Sequence, residues 1–169
     1  MNAKYNPALF WFAVFTAFTT FLLIGLGGLV TSHEAGMSVI DWPTTYGYNM
    51  FLFPVDKWVG GILYEHSHRL LASGVGLLTT ILAVWFFGKK ARLFVRAFGL
   101  VVVAIGVYLF LQHDRVSLEC LGTGLVAIAA SFYWPNCEPL PSRMRWLGIV
   151  AFLMVVVQGV LGGCASAGA

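Results

Sequence analysis

A succession of apolar runs, each near the length of a bilayer crossing, limits this chain more than any other feature. The first reads "ALFWFAVFTAFTTFLLIGLGGLV" at 8–30, and comparable runs follow at about 61–87, 93–112, 118–134 and 146–163. A hydrocarbon layer about 30 Å thick takes about 20 apolar residues in helical form. Composition agrees: 59% of the 169 residues are hydrophobic and 10% charged, against about 25% charged in soluble domains. The expected fold is therefore all-α, a polytopic transmembrane bundle of about five spans in a single membrane domain. The first run is longer than the roughly 7–15-residue core of a cleaved signal peptide, so it is expected to remain as a span.

Basic residues set the expected orientation. Lys4, Lys89, Lys90, Arg92, Arg96, Arg143 and Arg145 fall on one side, and Lys57 and Arg115 on the other. The positive-inside bias then places the amino terminus in the cytoplasm. The net charge of +3 reads as topology, not as a nucleic-acid footprint. Cys120, Cys137 and Cys164 have no metal-type spacing and read as small apolar side chains. The loop at 31–60 is rich in Trp and Tyr, which favour the headgroup zone. It is expected to anchor along the surface or to cover a site at the outer end of the bundle.

The polar groups that need explaining are in "GGILYEHSHRLLAS", 60–73. On a helix Glu65 and His68 share a face, whereas His66 is rotated by about 200° from His68. One reading is a local Glu65–Arg69 ion pair with histidines at the water interface. The other starts from the cost of ionisable groups at membrane depth, which marks them as functional. A neutral imidazole is a common haem ligand, and a carboxylate nearby can orient it or relay a proton. The cluster itself says haem, metal or proton site. His33 and Glu34 read as solvated loop residues, and His113–Asp114–Arg115 as a polar turn.

The strings "GLGGLVTSHEAGMSVIDWPTTYG" and "YEHSHRLLASGVGLLTTILAVW" resemble the amino-terminal half of haem A synthase, a membrane enzyme of cytochrome oxidase assembly. The resemblance is carried by Gly36, Ser38, Asp41, Trp42 and Pro43, by Glu65, His68 and Arg69, and by "QGVLGG" at 158–163. It covers about 1–90 and 144–163, leaving 91–143 as an inserted helical hairpin. The resemblance implies oxidation of the C8 methyl of haem O to a formyl group in the inner, cytoplasmic membrane. It implies His68 as an axial ligand to haem iron and Glu65 as the catalytic acidic residue. Arg69 is expected to bind a haem propionate by charge-assisted hydrogen bonds.

Haem O or haem A would be substrate or product, and the haem b site of the family's second half is not expected here. Resemblance stops at Gly163, so the chain is expected to be a truncated or split half. Expected partners are membrane lipid, haem O, and a second half or a second copy, with haem O synthase or oxidase assembly factors as further candidates. The alternatives are a non-catalytic haem-binding module and an inactive fragment. Small residues at 25–28, 74 and 76, 122 and 124, and 162–163 are expected to let helices approach closely.

Overall fold

The computed structural model describes residues 6–41, 44–112, 117–134 and 137–167, with the side chains of Glu119 and 163–167 outside that description. Lys4, Trp42, Pro43, the His113–Asp114–Arg115 turn and the Cys164 side chain therefore lie outside the described residues. The described chain is all-α but for one small hairpin. Its helices are α1 (Pro7–Ser32), α2 (Gly61–Trp85), α3 (Ala91–Leu111), α4 (Ser117–Tyr133) and α5 (Ser142–Ala167), with strands β1 (Thr44–Thr45) and β2 (Tyr48–Asn49) between α1 and α2.

Four helices are long and apolar enough to cross a membrane: Pro7–Ser32, Gly61–Trp85, Gly88–Leu111 and Ser142–Gly162. The protein is a multi-pass membrane protein. The expected fifth span, α4, forms with 17 residues, about 26 Å at 1.5 Å per residue. The expected all-α polytopic bundle is thus present, with four helices of full spanning length and this shorter apolar one among the described residues.

Local chemistry explains the helix starts and the survival of polar groups in lipid. The Asn6 side chain accepts from the Ala8 and Leu9 N–H groups at 3.1 and 3.2 Å, and Pro7 occupies the first helical position, where no N–H is needed. Thr16 and Thr20 give their hydroxyl protons to carbonyls one turn earlier, at 2.8 and 2.7 Å, and Thr79 and Thr80 do likewise in α2. No hydroxyl proton of these four is left for lipid to solvate.

Chain contacts divide the protein into two compact units, one comprising residues up to Ala83 and from Trp146, the other Val84–Arg145. The hairpin inferred at 91–143 lies within the second. There α3 and α4 run against each other at backbone distance. A Cβ on Gly99 would stand 2.9 Å from the Gly124 carbonyl oxygen, and one on Gly124 2.8 Å from that of Gly99. A Cβ on Gly106 would stand 2.9 Å from the Leu121 nitrogen. Close approach is thus built on Gly99, Gly106 and Gly124, the first two unexpected. Gly25, Gly28, Gly74, Gly76 and Gly122 face open space, correcting the role expected of them.

Within the second unit, the α2–α3 turn receives the segment after α4. Lys89 N donates to the Cys137 carbonyl at 2.8 Å and Leu140 N to that of Phe86 at 2.9 Å. Gly88 makes this possible through its φ of 54° and the absence of a Cβ that would strike the Cys137 carbonyl.

Candidate functional site

The site belongs to the first unit and is built by α1, the loop after it and the first turns of α2. The loop does more than rest on a surface. Ala35, Val39, Thr45 and Phe53 are buried, and the strands pair Thr44 with Asn49 and Thr45 with Tyr48. Tyr46 and Gly47 turn the hairpin, both at positive φ (51° and 76°), the backbone that a two-residue connection favours.

Asp41 fixes this turn. Its carboxylate accepts from the Thr44 hydroxyl at 2.5 Å, Tyr46 N at 2.8 Å and Gly47 N at 2.9 Å. Desolvation pushes the Asp41 carboxyl up, but these donors outweigh it and hold its pKa down at about 2. The Tyr46 hydroxyl donates to the Ser38 carbonyl, closing the loop on itself.

Glu65 and Arg69 fasten that loop to α2. Glu65 is buried and accepts from Val39 N at 2.7 Å and from Arg69 Nη2 at 2.5 Å. Arg69 also donates to the carbonyls of Asp41, at 2.6 Å, and Val39. The local ion pair is present, but its side chains are only 11% and 6% exposed. It is a buried clamp, not a surface pair. Val39 N–H and C=O are both consumed by it, so the loop docks through main chain and a one-residue slip would undo every bond.

His66 points into the loop, as its rotation from His68 requires. It is fully buried, its Nδ1 lies 3.2 Å from Thr45 Oγ1, and the rings of Trp58 and Phe53 stand 4.6 and 5.1 Å away. Its Nε2 has no hydrogen-bond partner among the described residues.

His68 turns to α1. A Cβ on Gly27 would stand 3.2 Å from its Cε1, so Gly27 makes the space that the imidazole occupies. The ring's Nδ1 is buried and without a hydrogen-bond partner among the described residues. One turn outward on this seam, the His33 and Tyr64 rings stack at 4.2 Å.

A resident metal held by several side chains has no support among the described residues, which contain no group of three His, Cys, Asp or Glu arranged for one. A single axial position on a haem needs less. The ring nitrogen of His68 left unpaired, Nδ1, is buried on the side facing α1, 3.7 Å from where a Cβ on Gly27 would stand, so a haem iron would reach it only if α1 gave way there. The seam thus brings His68, Gly27, Tyr64 and His33 together, and the loop face brings Glu65, His66 and Arg69 together. Sequence reasoning missed Val39, Thr45, Phe53 and Trp58 as partners. The only signal for them was the Tyr-Gly turn between short β-favouring residues.

Over 81 residues, 47% of this chain, the sequence is 35% identical to a heme A synthase of Exiguobacterium sibiricum. The match covers 26% of that protein, so the chain spans about a quarter of the length of the curated relative it matches. No family model and no solved structure matches.

Proposed function

We propose that this protein binds haem O in the membrane through His68 and serves the oxidation of its C8 methyl to a formyl group. One observation carries the reading: a half-buried imidazole, with an unpaired ring nitrogen, seated against a glycine of the neighbouring helix. Local similarity to a heme A synthase supports it.

In this reading His68 would hold the haem iron through an imidazole nitrogen, and Gly27 of α1 leaves room for its ring. Glu65 is the acidic residue one turn earlier. Both of its oxygens are engaged, by Val39 N–H and by Arg69, so it acts by holding the loop beside the ligand. Arg69 does the same through two carbonyls, and its terminal nitrogens are occupied without any propionate.

A second reading rests on α2 turning one imidazole, His68, toward α1 while His66 turns into the loop. A second copy of the chain, or a separate half, would then supply the opposite axial ligand, and the protein would hold haem without transforming it. The test is chromatography of haems extracted from cells lacking their own haem A synthase, expressing this chain with a haem O synthase. Haem A, or its hydroxymethyl precursor, is the expected product. Haem O co-purifying with the chain and never converted favours the second reading, and no haem retained at all contradicts both.

A further inference from the structure

The second unit gathers cations at one end. Lys89, Lys90, Arg92, Arg96, Arg143 and Arg145 stand there against a single carboxylate, Glu138, which Lys89 already engages at 2.6 Å. They come from two separated stretches, 89–96 and 143–145, brought together by specific bonds. Arg92 donates through Nε and Nη2 to the Trp134 carbonyl, at 3.2 and 2.9 Å, tying the start of α3 to the end of α4. Arg96 Nε donates to Ser131 Oγ at 3.3 Å while its guanidinium lies 4.5 Å from the Phe132 ring centroid. Arg145, in the first turn of α5, sits 5.7 Å from the Phe87 ring centroid.

Five positive charges in excess at one place repel each other unless something neutralises them. Two buried donors there also lack an acceptor among the described residues, Arg145 Nε and Trp134 Nε1. The candidate span beginning at Gly88 starts at this end, which puts the cations at headgroup depth. The missing partner is therefore anionic, rich in acceptor oxygens and attached to something apolar.

We infer that this basic end is a binding site for an anionic phospholipid, its phosphate taken by Lys90, Arg143 and Arg145 and its chains lying along α3. Arg92 and Arg96 are committed to α4 and shape the site. A basic residue near an anionic lipid surface contributes about a fivefold preference, so three give a combined preference of about a hundredfold.

The experiment uses the full chain, purified in neutral detergent and stripped of lipid. Native mass spectrometry and thermal melting are followed with dioleoyl phosphatidylglycerol, with dioleoyl phosphatidylcholine and with free glycerol phosphate. The expected result is retention of phosphatidylglycerol, with a rise in melting temperature that phosphatidylcholine and glycerol phosphate do not give. Lys90→Gln/Arg143→Gln/Arg145→Gln should abolish the difference, whereas Lys57→Gln in the loop between α1 and α2 should keep it. Should the triple variant not fold, Lys90→Gln/Arg143→Gln, both at exposed positions, should still weaken the preference by more than tenfold. Equal retention of both lipids, an undiminished preference in the double variant, or equal stabilisation by free glycerol phosphate would overturn the proposal.

Discussion

Arg69 is the residue on which the loop between α1 and α2 depends. Removing it leaves the Glu65 carboxylate and two main-chain carbonyls buried with fewer partners, and breaking a buried pair from one side costs about 3–5 kcal/mol. Arg69→Met should accordingly lower the melting temperature in detergent and open the segment 35–49 to protease before any helix is cut. Protease resistance equal to the native chain's would show the clamp to be idle. Glu65→Gln keeps the shape and should cost less, about 1–3 kcal/mol. Asp41 gives the loop a pH dependence of definite sign. Its folded pKa of about 2 lies below the ordinary 3.8, so its contribution is complete above pH 3.8 and is lost as pH falls through 2. Asp41→Asn should flatten loop stability across that window, measured by proteolysis at graded pH.

Helices, unlike the loop, were legible residue by residue. Each apolar run became a helix because lipid leaves the backbone no other way to satisfy itself. What the pattern did not reveal was which glycines matter. Gly25, Gly28, Gly74 and Gly76 stand out to the eye, yet the α3–α4 contacts that need a missing Cβ fall at Gly99, Gly106 and Gly124, of which the sequence pointed only to Gly124. Hydropathy is a property of one helix, and close approach belongs to two. The loop was opaque for a related reason, since Thr45 and Phe53 are buried only by the fold that Asp41 and Arg69 impose. At the element scale, Gly99→Leu or Gly124→Val should separate α3 from α4. Cysteine pairs placed across that seam would then lose their crosslink, while the same pairs in the native chain form it.

At the scale of the molecule, two properties meet: a chain that is mostly lipid-facing helix, and one imidazole at the α1–α2 seam left with a buried, unpaired nitrogen. The distribution of basic residues predicts that the 35–60 loop faces outside. In a background without native cysteines, Leu52→Cys, at a 76% exposed position, should react with an impermeant maleimide in intact cells. Reaction only after permeabilisation would reverse the orientation. Haem binding by His68 is tested most directly by the optical spectrum of the purified chain loaded with haem O. The account predicts an intense Soret band for the native protein that shifts or vanishes in His68→Ala and persists in His33→Ala. A Soret band unchanged in position and stoichiometry in His68→Ala would contradict it.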